Sequence, residues 1–339
     1  MIKLRLLALC ALVLALSACF PSNNTGKTEV LLQGRTMGTT YNIKVVATIE
    51  QVEALGLQQK IDAVLKQVNQ EMSTYIPDSE LSLFNKSTSL EPVPVSVGLA
   101  RVIKESIRLG KLSEGKLDVT VGPLVNLWGF GPEKQPEKVP SDTLLSQTKA
   151  KVGLQHLSFA NNHLAKAIPE LYVDLSTIAK GYGVDLVAEL IEANGLNNYL
   201  VEIGGELRLK GFKHTGELWA IAIEKPITSE RSVQQIIIPK DNAVATSGDY
   251  RNYFESDGQR FSHIIDPATG KPINHKLVSV TVIHPSSMTA DGLSTALMVM
   301  GAEQGMKFAV DNNIAALFVN KTEHGFSEQF TVEFQPYLK

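Results

Sequence analysis

Cysteine is nearly absent. The 339-residue chain has two, Cys10 and Cys19, and none follows Cys19. That excludes a disulfide framework, a Cys-based zinc site and a cysteine nucleophile from residues 20–339. A basic excess is also lacking: 32 Lys and Arg stand against 35 Asp and Glu, a formal charge of −3. A nucleic-acid-binding protein presents a basic face, and no long basic run occurs here. No apolar run reaches the about 20 residues that a membrane-spanning helix needs. There is no extended heptad pattern and no internal repeat. No GxGxxG follows a strand-like run, and neither GxSxG nor HExxH occurs. Ser176-Thr177-Ile178-Ala179-Lys180 misses the Ser-x-x-Lys spacing by one residue and has no Lys-Thr-Gly companion. The seven histidines show no metal-ligand spacing. Gly26-Lys27-Thr28 imitates the end of a phosphate-binding P-loop, but Pro21 stands where its first glycine belongs and no strand precedes it.

What is present begins with a leader. Lys3 and Arg5 precede an apolar run from Leu6 to Leu16, followed by Ser17, Ala18 and Cys19. Charged, apolar and small-residue regions in that order make a secretory signal. Leu16-Ser17-Ala18-Cys19 resembles the lipobox of bacterial lipoproteins, in which the chain is cut before the cysteine and the cysteine is lipidated. The resemblance implies a signal peptide over 1–18 and a lipid on Cys19. Each buried acyl methylene contributes about 0.8 kcal/mol, so several chains anchor firmly where one would not. Loss of Lys3 and Arg5 takes the formal charge from −3 to −5. The polar, Pro- and Gly-bearing run that follows Cys19 reads as a flexible tether, giving 19–29 as lipidated Cys and tether. The remainder is long enough for one large domain or two smaller ones.

Tyr41, Ile43 and Val45 alternate with polar residues and predict a strand with one buried face. Leu57, Ile61, Val64, Val68 and Met72 predict an amphipathic helix. Asp78-Ser79-Glu80-Leu81 opens a short helical turn, and Ser96 and Ser141 are positioned to cap further helices. Leu117–Val121 and Leu171–Leu175 read as strands, the second running into a helix over 177–193. Asn161-Asn162 signals a hairpin, as does Asp257-Gly258. Strands are expected at 199–203, 206–210, 217–223, 233–238, 243–246, 250–254, 260–265 and 277–283, with a last helix near 303–311 and strands at 314–319 and 328–334. Runs of strands with few intervening helices argue for an α+β fold with a largely antiparallel sheet and packed helices.

Thr289–Gly301 is the stretch with the most chemical content. Leu293, Ala296, Leu297 and Met300 give it the spacing of a helix with one buried side, with Thr289 as its cap and Gly301 as its stop. Asp291 and Thr295, four apart, project from one face. Together they can hold an oxygen-preferring cation such as Mg²⁺; they equally suit dipole matching and packing. Asp118 and Thr120 close one strand-like run, and Asp174 closes another. Ser176, Thr177 and Lys180 follow, where a helix start can receive an anion or simply be capped. Gly204-Gly205 permits close ligand approach or a plain hairpin. His263 suits a general base for a hydroxyl nucleophile with a carboxylate orienting it, or a hydrogen-bonded structural histidine. Met37 and Tyr75 suit either a flat ring or the core.

In order along the chain, GRTMGTTY at 34–41, MSTY at 72–75, DSELSLFN at 78–85, LDVTVGPLVNLWGFG at 117–131 and VDLSTIAKGYGVD at 173–185 are followed by four more segments. These are VEIGGELRLKG at 201–211, VATSGDYRNYF at 244–254, SHIIDPATGKP at 262–272 and TADGLSTALMVMG at 289–301. Together they resemble the FAD:protein FMN transferase family of the ApbE type. The resemblance implies a single compact α+β domain over 30–339 and a Mg²⁺-dependent phosphoryl transfer. FAD is the donor substrate, a Thr or Ser hydroxyl of a partner protein is the acceptor, and AMP leaves. Family acceptors are subunits of the Na⁺-translocating NADH:quinone oxidoreductase and of Rnf-type complexes. Carried over motif by motif, Met37, Tyr75, Asp118, Val119, Thr120, Asp174, Lys180 and Ile265 contact FAD. The Asp291 and Thr295 side chains and the Thr177 carbonyl bind Mg²⁺. His263 is the expected base, with Asp291 the alternative. Position 20 is Phe rather than the Asp common in lipoproteins kept at the inner membrane. The expected acceptors nonetheless place the protein on the periplasmic face of that membrane. A flavin-binding or FAD-hydrolysing lipoprotein without an acceptor is the alternative; a pure binder needs no Asp291/Thr295 pair.

Overall fold

The predicted strand at Tyr41–Val45 is the second of an eight-stranded sheet whose spatial order is its chain order. The strands are β1 (Thr28–Thr36), β2 (Thr39–Ala47), β3 (Tyr199–Ile203), β4 (Glu206–Lys210), β5 (Ala243–Gly248), β6 (Leu277–His284), β7 (Ala315–Thr322) and β8 (Gly325–Phe330). Every neighbouring pair is antiparallel. The computed structural model describes residues 26–131, 139–225, 233–249, 253–256 and 259–339. The leader, Cys19 and the Asp257-Gly258 turn lie outside them. β1 begins at Thr28, paired with Ala47, two residues inside the segment read as tether. Among the described residues no helix is long and apolar enough to cross a membrane.

Four long helices complete the fold: α1 (Leu57–Met72), α2 (Val97–Leu112), α3 (Ala179–Ala193) and α4 (Ser287–Asp311). The inward alternation of β2 meets α1 and α3, so Tyr41, Ile43, Leu57, Ile61, Val184, Val187 and Ile191 share one core. α2 and α4 cover the next part of the sheet, with Val280, Val282, Ala316 and Phe318 beneath them. The opposite face is sealed by Trp219, by Ile223 and Ile237 of a hairpin, and by Phe334 of the C-terminal 3-10 turn. β6 is therefore buried on both faces, its Ser279 and Thr281 as fully as the valines beside them.

α4 departs from the expected one-sided helix. Residues 287–299 are buried all round, with Thr295 the single exception. Ser286, not Thr289, is the cap: its hydroxyl accepts the Thr289 N–H at 3.3 Å. The Thr289 hydroxyl instead donates to Glu105 at 2.7 Å. Gly301 does interrupt the helix, at φ 77° and ψ 179°. His275 Nε2 donates to the Met298 carbonyl at that break, at 2.9 Å. The helix expected at 303–311 is thus the second piece of α4.

Two predicted strands do not form ladders. Leu117–Val121 is turn and coil, and Leu171–Leu175 is coil that joins no sheet. The Asn85 side chain donates to the Val173 carbonyl and accepts its N–H, both at 2.8 Å, in place of a neighbouring strand. The helix after it starts at Ala179 rather than Thr177.

The Phe318 side chain is fully buried, its ring against Gly305, where a Cβ would come within 3.0 Å. Phe318→Ala removes the ring and leaves a void in the largest core. It is expected to cost about 3–5 kcal/mol of unfolding free energy, read as a lower urea midpoint.

Candidate active site

A cavity of about 880 Å³ opens where β2, the β3–β4 turn and β5 meet the starts of α3 and α4, and where residues 116–131 and 263–267 close over them. Its volume lies in the upper part of the roughly 300–1,000 Å³ range of ligand sites. Asp291 and Thr295 both reach it from α4. Thr295 is the helix's one opening in an otherwise buried stretch, so the four-residue spacing places a hydroxyl and a carboxylate on the cavity side.

Asp291 is buried, and its Oδ2 accepts the Gly181 N–H at 3.0 Å. Burial pushes its carboxyl up to about 7; the nearby Glu206 charge adds to this and the Lys180 ammonium opposes it. Lys180 Nζ lies 2.5 Å from Glu206 Oε1. Burial works against the Lys180 charge, but Glu206 and Asp291 outweigh it and hold the ammonium above its ordinary range. Burial likewise pushes the Glu206 carboxyl up, against the pull of Lys180. Two enclosed oxygens, Glu206 Oε2 and Thr177 Oγ1, have no partner. A buried polar atom left unsatisfied costs about 1–3 kcal/mol, so such atoms beside a cavity mark where a ligand belongs. Ser247 Oγ sits 2.9 Å from Ser294 Oγ and 3.2 Å from Thr295 Oγ1, which fixes the Thr295 hydroxyl.

The donors here are a carboxylate and hydroxyls, a hard set that suits Mg²⁺ and offers nothing to softer metals. Among the described residues no group of three or more His, Cys, Asp or Glu could hold a metal alone.

His263, also lining the cavity, lies edge-on to Phe130, ring centroids 6.3 Å apart, in the bend between two short strands. Asp266, three residues on, accepts the Ala268 N–H on Oδ1 at 3.0 Å and is paired there with the Lys116 ammonium at 3.4 Å. Asp118 is buried, and burial raises its carboxyl; its Oδ1 accepts the Thr120 N–H and hydroxyl at 2.8 and 2.6 Å. Asp174 binds the Ser176 N–H at 2.9 Å, and its own N–H donates to the Val119 carbonyl at 2.7 Å, tying the two loops together. Tyr75 stands at the rim, 69% exposed, a large aromatic surface with little protein against it.

The sequence profile of the ApbE family matches residues 37–318. The chain belongs to the ApbE family. A Vibrio cholerae protein named FAD:protein FMN transferase is 58% identical over 310 residues, covering 91% of this chain and 93% of that protein. The Escherichia coli K12 protein of the same name is 44% identical over 319 residues, covering 93% and 91%. The structure of the flavin transferase ApbE from Vibrio cholerae superposes with a TM-score of 0.86 at 57% identity, over 92% of this chain and all of that one. The apo flavinyl transferase ApbE of Pseudomonas stutzeri gives 0.85 at 41% identity, over 92% and 97%. The mixed helical and antiparallel architecture predicted from sequence is thus the ApbE fold.

Within this ApbE chain, nine of the twelve residues assigned from the family resemblance line one cavity: Tyr75, Asp118, Asp174, Thr177, Lys180, His263, Ile265, Asp291 and Thr295. Three others do not. Val119 and Thr120 are fully enclosed, and the Thr120 hydroxyl accepts the Gly153 N–H at 2.6 Å. Met37 occupies the β1–β2 turn at φ 49°, with its methyl against Gly183 of α3. Glu206 and Ser247 belong to the site and were not read from sequence as functional. Glu206 had a signal: a carboxylate that begins a strand directly after a Gly-Gly turn. Ser247 had none, because its role depends on Thr295 from a distant helix.

Proposed function

We propose that this chain is an FAD:protein FMN transferase acting on a Thr or Ser hydroxyl of an acceptor protein. The observation that carries it is Asp291: a buried carboxylate with one oxygen tied to Gly181 and the other side facing a dinucleotide-sized cavity, one turn from Thr295. The names of close ApbE relatives support the same reading. Tyr75, Asp118, Asp174, Lys180 and Ile265 form the FAD wall, and Met37, Val119 and Thr120 back that wall rather than form it. Asp291, Thr295 and the Thr177 carbonyl would hold Mg²⁺. When bound there, Mg²⁺ supplies positive charge against the pyrophosphate. His263 takes the proton of the acceptor hydroxyl as its oxygen bonds to the FMN-side phosphorus. The phosphorus–oxygen bond to AMP breaks, and AMP leaves with the bridging oxygen. The product is a phosphoester-linked flavin. Phosphoryl transfer asks mainly for positioning and charge neutralisation, which this arrangement provides.

The acceptors we infer are flavin-carrying subunits of the Na⁺-translocating NADH:quinone oxidoreductase or of Rnf-type complexes. The leader and Cys19 support a lipid-anchored enzyme at the periplasmic face of the inner membrane, its domain spanning 30–339. The test mixes the protein with FAD, MgCl₂ and an acceptor fragment and reads flavin fluorescence on a denaturing gel. A fluorescent acceptor band that vanishes with EDTA is expected. Bound FAD with no labelled acceptor would overturn the proposal in favour of a flavin-binding lipoprotein.

A pH dependence follows from Asp291. Its folded carboxyl is raised from 3.8 to about 7 in the cation-free protein. Stability from this group is therefore full below about pH 4 and lost as pH rises through about 7. A cation binds the ionised carboxylate and relieves that loss. MgCl₂ is expected to raise the thermal midpoint more at pH 8 than at pH 5, in scanning fluorimetry. Equal shifts at the two pH values would contradict the assignment.

A further inference from the structure

Asp185 is a fully buried carboxylate in the apolar run Val184–Val187 of α3, and nothing above gives it a part in the reaction. Its two oxygens accept four hydrogen bonds. Oδ1 takes the Ser287 N–H and Arg208 Nη1, both at 2.9 Å. Oδ2 takes the Met288 N–H at 3.0 Å and the Ser286 hydroxyl at 2.7 Å. Three of the four donors are the cap and first two residues of α4. The reverse contact also exists: Asp291 of α4 accepts the N–H of Gly181 at the start of α3. Each helix thus has unpaired N-terminal amides held by a carboxylate of the other, where those amides and the helix dipole favour negative charge. The two starts are in direct contact, since a Cβ on Gly181 would lie 2.3 Å from the Ser287 carbonyl oxygen. Arg208 neutralises Asp185 and ties the pair to β4, the strand that begins with Glu206.

We propose that Asp185 is a positioning residue for the cation site. The site's donors come from both sides of this contact: Thr177 just ahead of α3, and Asp291 and Thr295 from α4. The relation between the two helix starts is therefore the relation between the donors, and Asp185 sets it. This rests on the reading of Asp291 and Thr295 as cation ligands. Asp185→Asn keeps the side-chain volume but replaces one acceptor oxygen with an NH₂ that must face a donor, so part of the clamp opens. Ser286→Ala removes only the hydroxyl contact and serves if Asp185→Asn does not fold. Thr48→Ala removes a cap of the same kind from a remote helix, where the hydroxyl accepts the Gln51 N–H.

The test titrates MnCl₂ into each protein, with free Mn²⁺ read by electron paramagnetic resonance. Thermal midpoints and the MgCl₂ dependence of FMN transfer are measured beside it. Residues that orient metal ligands cost about 10- to 100-fold in affinity when altered. Asp185→Asn is expected to weaken Mn²⁺ binding by about tenfold or more. Ser286→Ala is expected to weaken it in the same direction by less. Transfer lost at low MgCl₂ should be regained at high MgCl₂. Thr48→Ala should lower the thermal midpoint and leave Mn²⁺ affinity unchanged. If Asp185→Asn, or Ser286→Ala in its place, lowers the midpoint but binds Mn²⁺ as tightly as the wild type, Asp185 is only structural and the inference is overturned. If the wild type itself binds no Mn²⁺, the cation assignment falls first and takes this inference with it.

Discussion

Asp291→Asn is expected to lower FMN transfer by about 10³-fold, or ~4 kcal/mol of barrier at 1.36 kcal/mol per factor of ten. The substitution is nearly isosteric. An amide oxygen can still accept the Gly181 N–H that Asp291 Oδ2 holds at 3.0 Å, so the helix contact survives. What disappears is the negative charge that faces the cavity, and with it the hold on a cation. Preorganised charge at a phosphoryl group supplies several kcal/mol that water cannot replace in an enclosed site. A second consequence has the opposite sign. The wild-type carboxyl is buried and resists ionising, so Asn removes a cost that the cation-free protein carries above about pH 7. In EDTA at pH 8 the variant should melt no lower than the wild type, while MgCl₂ should no longer raise its midpoint. Steady-state transfer and thermal melting check the two halves. Retention of more than about a tenth of the wild-type rate would remove Asp291 from the reaction, given the 10²–10³ typical of a lost charge-stabilising group.

His263→Ala is expected to lower the transfer rate by about 10²–10⁴-fold, the usual worth of a positioned base. His263 lines the cavity together with Lys180 and Glu206, beside Phe130 and next to the Ile264–Ile265 step that also faces it. In the proposed reaction a hydroxyl arriving from a partner protein loses a proton as its oxygen bonds to phosphorus, and among the nine sequence-derived residues lining this cavity His263 is the only imidazole. FAD affinity, read by quenching of flavin fluorescence, should remain within about threefold, since the loss belongs to the transition state rather than to ground-state binding. Added imidazole should recover part of the rate. Normal transfer with unchanged FAD binding would eliminate His263 as the base and leave Asp291 as the remaining candidate.

Much of the architecture was readable where a local rule and the tertiary structure agree. Ser96 and Ser141 cap their helices as their positions suggest, each accepting an N–H three residues on. Asn161 and Asn162 both take positive φ in the hairpin they signal. Reading failed where a distant group changed the outcome. Val173 looks like a strand residue, but a side-chain amide from residue 85 satisfies its N–H and carbonyl in place of a neighbouring strand. β1 was missed because it is an edge strand with little burial, so its residues show no clear alternation. Thr289 looked like a cap, but Ser286 holds that place and Asp185 claims the next two amides. The site followed the same division. Asp291, Thr295 and Asp174 were visible because polar residues at helix starts and strand ends stand out from their surroundings. Glu206, Ser247 and Asp185 act through partners 23 to 103 positions away. No window along the chain contains that information.

The glycine break in α4 also separates two mechanical units. Ahead of residue 301 the helix is locked by the core, by the Ser247 hydroxyl of β5 and by His275 at the Met298 carbonyl. Behind it, Glu303 and Gln304 point to solvent. A reporter attached to that outer segment would ride on the molecule without leaning on the chemistry. Because no thiol follows Cys19, Glu303→Cys in a protein that starts after Cys19 carries a single attachment point for a fluorophore, from which docking of an acceptor protein can be followed in real time.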